Sequence, residues 1–439
     1  MFQRFTRGCV ALVQRYLPDP FLFAAILTII VLLMGMFIAN NSFMQMVQYW
    51  GNGFWSLLAF AMQMSLVLVT GYTLASSPPF KKALGAIAGA VNSPGQAIVV
   101  TTLVALVAAW INWGFGLVIG ALIAKEMAKK VPGADYRLLI ASGYMGFLVW
   151  HAGFSGSIPL TIATENHFLY DKIGIIPTSE TIFASFNLIP MIALFIGLPI
   201  LAWSMIPSKE NTITIDPELL KEAPTAATSQ EPLTPADRLE NSWILSALIG
   251  VMGLIFIFYY FSTKGFALNL DIVNFIFLFL AILFHGTPRR FLNAIGEAAK
   301  GAGGIILQFP FYAGIMGMMT ASGLAAIMSQ WFVSISTATT FPFFTFLSAG
   351  LVNLFVPSGG GQWAVQAPIM IPASMELGVP VAKTAMAVAW GDAWTNMIQP
   401  FWALPALGIA GLNAKDIMGY CLVALMFSGV IIGASLLIF

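Results

Sequence analysis

Charged side chains are scarce in this chain. Asp, Glu, Lys and Arg make up 8% of its 439 residues, whereas hydrophobic residues make up 59% and the mean hydropathy is +0.87. Soluble globular proteins carry about 25% charged residues, so the composition excludes an ordinary water-soluble domain and indicates a polytopic membrane protein. The few charges nearly cancel, with a net charge of +1, and this balance gives no indication of a nucleic-acid partner.

The motifs that usually carry catalysis or cofactor binding are also missing from the sequence. Cys9 and Cys421 stand at opposite ends of the chain with no zinc or redox spacing, so no disulfide framework is expected. The glycines of "PSGGGQW" lack the Lys and Ser or Thr of a phosphate loop, and there is no zinc-type His/Glu motif. An aspartyl protease needs two embedded acids, where only Asp392 is available. We therefore expect a protein that is not an enzyme and that has no cofactor.

Apolar stretches long enough to cross a bilayer occur nine times, measured against the roughly 20 residues of a spanning helix. They lie at about 20–39, 54–76, 138–166, 184–205, 243–262, 268–285, 302–327, 380–411 and 416–438. The first follows three arginines and has no small-residue cleavage pattern, so it is predicted to be an anchor rather than a signal peptide.

Two further apolar regions, 97–128 and 341–376, are each interrupted near the middle, by "NWGFG" at 112–116 and by "NLFVPSGGG" at 353–361. Each region is either a pair of spanning helices or a re-entrant hairpin. When each is counted as a hairpin, 16 of the 19 Lys and Arg residues fall on the side of the N-terminus, which the positive-inside rule makes cytoplasmic. The other three, Lys172, Lys264 and Lys383, are predicted on the external face. A spanning pair would give the same count, but the short halves favour re-entrant hairpins.

This layout contains two copies of one unit, the second inverted by a single connecting helix. We predict an N-terminal cytoplasmic amphipathic segment at 1–18, and a first repeat at 19–206 that contains hairpin 97–128 and broken helix 138–166. A cytoplasmic linker at 207–241 and a connecting helix at 242–263 follow, and the second repeat is 264–439, with hairpin 341–376 and broken helix 380–411. An offset of 241 residues relates Asn112 to Asn353, Ser155 to Asn396 and Pro159 to Pro400.

The interrupted segments predict a polar chamber at the bilayer midplane. Irregular backbone at that depth is tolerated only inside protein or beside a water-filled cavity. Backbone N–H groups of Ser358–Gly361 are expected to begin a helix there, and such a helix start binds anions without Lys or Arg. Sequence alone thus predicts a transporter of something small and anionic.

Candidate site residues follow from the same breaks. The predicted substrate-binding residues are Asn112, Gly114, Gly116, Ser155, Ser157, Asn353, Ser358, Gly359, Gly360, Gly361, Thr395 and Asn396. Two titratable residues inside spans, His151 and Asp392, are candidates for carrying the coupling ion, and a sodium ion near Asn112, Ser155, Asn353 and Asn396 is the alternative to a proton. The competing readings are helix packing for the glycines, interhelical hydrogen bonds for the asparagines, and capping of a broken helix for the two titratable groups.

Long motifs resemble the bacterial short-chain fatty acid transporter family, the acetoacetate and butyrate permeases of the ion transporter superfamily. These motifs are "LPDPFLFA", "GNGFWSLLAF", "INWGFGLVIGA", "GFSGSIPL", "QFPFYAGI", "VPSGGGQWAVQAP" and "QPFWALPALGIAGL". The resemblance covers essentially the whole chain. It implies an all-α fold with inverted repeats, re-entrant hairpins and broken helices, an elevator-type movement and a homodimer.

The function that the resemblance implies is uptake of small monocarboxylates across the bacterial inner membrane. Charge balance adds a co-transported cation, H⁺ in preference to Na⁺, because carrying one negative charge inward costs about 2.3 kcal/mol per 100 mV. The alternatives are a transporter of another small anion, such as a dicarboxylate, and an anion channel.

Overall fold

The chain is helical almost throughout, and no β-strand occurs in the part that the structure describes. The structure is a computed structural model that describes residues 20–215, 234–354, 356–399 and 402–439. The predicted segment 1–18 and residues 216–233 of the predicted linker lie outside these ranges. The all-α fold class is confirmed.

The first half of the chain contains ten α-helices within the described residues and a 3₁₀ segment at Gly146–Ala152. The helices are α1 (Pro20–Phe37), α2 (Phe43–Gly53), α3 (Leu58–Ala75), α4 (Pro78–Gly89), α5 (Pro94–Ile111), α6 (Trp113–Lys130), α7 (Tyr136–Met145), α8 (Ser157–Ile162), α9 (Tyr170–Ile173) and α10 (Ser185–Ser204).

Two helices connect the halves, namely α11 (Pro235–Glu240) and α12 (Trp243–Lys264). The second half then contains α13 (Leu270–His285), α14 (Pro288–Ala299), α15 (Gly303–Ala321), α16 (Leu324–Ile335), α17 (Phe341–Asn353), α18 (Gly359–Glu376), α19 (Val381–Thr395), α20 (Ala403–Ala410) and α21 (Ala414–Ile438).

The helix order of the first half recurs in the second. A long helix, a short helix, a second long helix and a second short helix precede a helical hairpin in α1–α6 and again in α13–α18. Equivalent helices start 245 residues apart, at positions 58 and 303 and at positions 136 and 381. This register differs from the offset of 241 and pairs Gln63 with Gln308.

Seven helical stretches of the described residues are long and apolar enough to cross a membrane. One of them is Pro94–Ile111, the first arm of the first hairpin, so the expectation that each arm is too short to span is wrong for this arm. The predicted span 302–327 also differs from the structure, since α15 ends at Ala321 and α16 begins at Leu324. Gly323 separates them with a φ of +79°, a left-handed conformation that favours glycine.

The interior of the molecule is built from the hairpins and the interrupted helices. Within Tyr136–Ile162, 94% of the most apolar 18-residue window is buried, against 17% of the corresponding window in the connecting helix Trp243–Lys264. Close packing explains the break within Tyr136–Ile162, because a Cβ on Gly153 would lie 2.0 Å from the carbonyl oxygen of Trp110. The second interruption lies between Thr395 and Ala403, and the predicted breaker Pro400 falls outside the described residues.

The end of the predicted linker is folded. Thr234 and Asp237 form a capping box at the start of α11, and Arg289 of α14 forms ion pairs with Asp237, at 3.1 Å, and with Glu240. Thr234 hydrogen bonds and the Arg289 guanidinium lower the pKa of Asp237.

Candidate functional site

A small cavity lies where the two hairpins and the two interrupted helices meet. Its lining comes from both halves of the chain and consists of Met64, Trp113, Phe147, Trp150, Ser157, Ile305, Phe309, Ser358, Gly359 and Trp402. The free volume is about 10 Å³, room for about one water molecule. The described conformation is therefore closed around this site.

The second hairpin meets the cavity through the start of α18. The Ser358 hydroxyl caps the helix by accepting a hydrogen bond from the Gly361 N–H at 3.4 Å. The N–H groups of Gly359 and Gly360 belong to the first turn, which has no internal acceptors. A Cβ on Gly359 would lie 2.4 Å from His151 Cε1, so only glycine lets this turn approach the imidazole so closely.

Gly360 and Gly361 pack against aromatic rings in the same way. A Cβ would lie 2.4 Å from Phe60 Cζ at Gly360 and 2.4 Å from Tyr312 Cδ2 at Gly361. The three consecutive glycines are therefore required by close approach on three sides, and the backbone of this turn is held in a fixed position.

His151 and Asp392 form a fully buried pair behind this turn. His151 Nδ1 lies 3.1 Å from Asp392 Oδ2, and both side chains have no exposed surface. The Ile158 N–H donates to His151 Nε2 at 3.1 Å, so Nε2 is an acceptor and the proton of a neutral imidazole is on Nδ1. Asp392 Oδ2 then accepts from His151, whereas Asp392 Oδ1 is buried and has no hydrogen-bond partner among the described residues.

Asn353 connects the second hairpin to the second interrupted helix. Its Nδ2 lies within hydrogen-bond distance of the Asp392 carbonyl oxygen (2.9 Å), Thr395 Oγ1 (3.0 Å) and Asn396 Oδ1 (2.8 Å). Its Oδ1 is buried and accepts no hydrogen bond from any residue that the structure describes. An amide nitrogen carries two hydrogens, so the three acceptors share them.

The first hairpin turns at Asn112, which caps α6. Asn112 Oδ1 accepts from the Phe115 N–H at 2.9 Å, and the next residue, Trp113, donates its N–H to Ser155 Oγ at 2.8 Å. Ser155 thus fixes the turn against the first interrupted helix. The Trp113 ring lies 5.2 Å from the Trp402 ring of the second half.

The predicted residues therefore divide into two groups. Ser157, Ser358 and Gly359 line the cavity. The side chains of Asn112, Asn353 and Asn396 are buried beside it and do not line it. Gly114 packs against the backbone of Val67 and Leu68, and Gly116 packs against Ala109. Among the described residues, no three His, Cys, Asp or Glu side chains are grouped as metal ligands.

Half of the residues that line the cavity are aromatic. Trp113 and Trp402 line it together with Trp150 and Phe147. Within the described part of the chain, the indole nitrogens of Trp113 and Trp150 are buried without hydrogen-bond partners, so each has a donor available for a ligand. The sequence signal for these two residues was their position, since Trp113 lies at the turn of the first hairpin and Trp150 lies beside the break of the first interrupted helix.

Fold and site together define a polytopic, all-helical membrane protein with a central cavity between its two halves. The YdaH transporter of Alcanivorax borkumensis, described as having an unusual topology, superposes with a TM-score of 0.59 over 95% of this chain and 98% of that one, at 13% identity. This likeness concerns the fold alone.

Sequence comparison gives the family. The family model described as short chain fatty acid transporter matches residues 1–439, and the chain belongs to that family. A protein of Escherichia coli K12 that is provisionally named as a short-chain fatty acid transporter is 46% identical over all of both chains. One of the same provisional name from Haemophilus influenzae is 43% identical over 98% of both.

Proposed function

We propose that this chain is a secondary active transporter that moves short-chain fatty acids, such as butyrate and acetoacetate, across the bacterial inner membrane in symport with H⁺. The observation that carries the proposal is the contact between the first turn of α18 and the buried pair His151–Asp392. The proposed anion site and the proposed titratable pair thereby both contact the imidazole ring of His151.

The substrate carboxylate binds at the start of α18. The N–H groups of Gly359 and Gly360 and the helix dipole favour an anion there, and the indole N–H groups of Trp113 and Trp150 are donors without partners. Hydrogen bonds to a charged group contribute about 1.5 to 3 kcal/mol each. A few such bonds replace the hydration of one carboxylate.

The rest of the lining accounts for a short acyl chain. Met64, Ile305 and Phe309 provide apolar contacts, and no Lys or Arg is among the described residues that line the cavity. A dicarboxylate would bring a second charge against these side chains, and an unpaired buried charge is strongly unfavourable. Monocarboxylates are therefore favoured over dicarboxylates.

Asp392 carries the coupling proton. Its Oδ1 is buried without a partner, so the ionised carboxylate leaves part of its charge uncompensated in the membrane interior. Protonation removes that charge, and His151 keeps the carboxyl group oriented by donating from Nδ1. Sodium is the second candidate, because Asp392 Oδ1 and Asn353 Oδ1 are both oxygens without partners.

The wider architecture completes the proposal. We infer that the two halves are inverted repeats, that the hairpins are re-entrant, that the N-terminus is cytoplasmic, and that the hairpins and interrupted helices move together as an elevator. The exposed apolar residues of α12 are consistent with a membrane-embedded scaffold and a homodimer. Light scattering of the purified protein in detergent tests the dimer.

Uptake into proteoliposomes tests the function. Labelled acetate, butyrate and acetoacetate are offered under an imposed H⁺ or Na⁺ gradient, with succinate as the dicarboxylate comparison and protein-free liposomes as the blank. We expect saturable uptake of the monocarboxylates, driven by the H⁺ gradient. Preference for succinate, or uptake driven only by Na⁺, would contradict the substrate class or the coupling ion respectively.

A further inference from the structure

A second and larger cavity lies outside the central site. It has a volume of about 450 Å³. Its wall includes Asn52 at the end of α2, Phe168 and Lys172 around α9, Thr320 near the end of α15, and Pro368 in α18. Pro368 lies nine residues after Gly359, about 13 Å along the helix at 1.5 Å per residue.

Lys172 gives this cavity a positive charge. It is the one charged residue among the described residues that line the cavity, and its side chain is exposed. In the described part of the chain, no acidic side chain forms an ion pair with it. Asn52 and Thr320 add hydrogen-bonding groups to a wall that is otherwise mainly apolar.

A row of aromatic rings leads from this cavity to the central one. Phe168 lines the larger cavity, and its ring centroid lies 5.6 Å from that of Phe60. Phe60 lies 5.5 Å from Phe309, which lines the central cavity. Phe60 also covers Gly360 at the start of α18, so it stands between the two cavities.

We propose that the larger cavity is the outer vestibule of the transporter and that Lys172 captures the carboxylate of a short-chain monocarboxylate there. The acid then passes Phe168 and Phe60 to reach the start of α18, and the Phe60 ring separates the vestibule from the closed central cavity. The inference rests on the proposed transport function. It adds a binding site at the membrane face that is external in the predicted topology.

Initial rates of butyrate uptake from outside the vesicle test whether Lys172 captures the carboxylate. The variants are Lys172→Gln, Lys172→Arg and the control Lys264→Gln. Lys264 is also exposed at the end of α12, is predicted on the same membrane face and does not line the cavity. We expect the KM of Lys172→Gln to rise about two- to fivefold, the range of an exposed charge pair, with kcat unchanged. Lys172→Arg should keep the wild-type KM.

Ionic strength separates a local charge from a structural effect. Raising choline chloride to about 1 M shortens the screening length to about 3 Å, so the KM of the wild type should rise toward that of Lys172→Gln, whose own KM should change little. An unchanged KM in Lys172→Gln, or an equal rise in Lys264→Gln, would overturn the vestibule assignment. Failure of the proposed transport function would give a different result from failure of the vestibule assignment, because the wild type itself would then take up no butyrate.

Discussion

Gly359 is the residue on which the proposed anion site and the proposed coupling pair both depend. Its N–H lies in the first turn of α18, and its missing side chain lets His151 pack directly against that turn. The same imidazole hydrogen-bonds to Asp392. In the proposed transport cycle, the substrate carboxylate at the start of α18 therefore acts on the Asp392 carboxyl group with only the His151 ring between them. Electrostatic interactions are weakly screened in this interior.

Replacing Gly359 with alanine should separate these two groups. The new Cβ would lie 2.4 Å from His151 Cε1 and 2.9 Å from Trp150 Cη2, and both rings are buried. We expect butyrate uptake to fall at least about tenfold, because the loss of one charge-assisted hydrogen bond already has this effect, while the protein remains monodisperse in detergent. Gly408→Ala, where an added Cβ meets nothing within 4 Å, serves as the control and should transport normally. Wild-type uptake by Gly359→Ala would show that this close approach is not needed.

The asparagines illustrate what sequence reveals at this scale. Asn112 and Asn353 could be recognised as functional candidates because amides are unexpected in an apolar span. Their partners could not be predicted, because hydrogen-bond geometry depends on neighbours distant in the chain, such as Thr395 and Asn396 for Asn353. In the structure both amides hold the hairpin turns, and the cavity is lined by other residues.

At the scale of elements, the hairpins were predictable and their register was not. The interruptions at 112–116 and at 353–361 coincide with the turns between α5 and α6 and between α17 and α18. The short helices α2, α4, α14 and α16 were not predicted, since each has only 11 or 12 residues, well below the roughly 20 of a spanning helix. The register between the two halves follows from the start positions of equivalent helices, rather than from identical residues in the two sequences.

Gly116 tests the distinction between packing and binding within an element. An added Cβ would lie 2.3 Å from Ala109 Cα, on the other arm of the first hairpin. We expect Gly116→Ala to force the arms apart, lower the apparent unfolding temperature and reduce the yield of folded protein, as overpacking typically costs about 1 to 3 kcal/mol. The correctly folded fraction should keep the wild-type KM for butyrate, measured in proteoliposomes. A variant of normal stability with a raised KM would instead assign Gly116 to substrate binding.

At the scale of the whole molecule, the site exists only because the halves interlock. His151 of the first half pairs with Asp392 of the second, and the Tyr144 hydroxyl donates to the Asn396 carbonyl oxygen at 2.7 Å. The chain-wide resemblance and the repeated breaks made the fold and the family predictable. The cavity could not be predicted, because its wall combines residues that are up to 338 positions apart, from Met64 to Trp402.

The central claim is that Asp392 couples movement of the carboxylate to a proton, and the variant Asp392→Asn tests it most directly. The amide keeps an oxygen that can accept from His151 but cannot carry the proton. Labelled acetoacetate is offered to proteoliposomes under an inward H⁺ gradient at constant Na⁺, with protein-free liposomes subtracted, and its exchange against internal acetoacetate is measured without a gradient. We predict that Asp392→Asn loses gradient-driven accumulation and retains exchange. Accumulation by Asp392→Asn equal to that of the wild type would contradict the account.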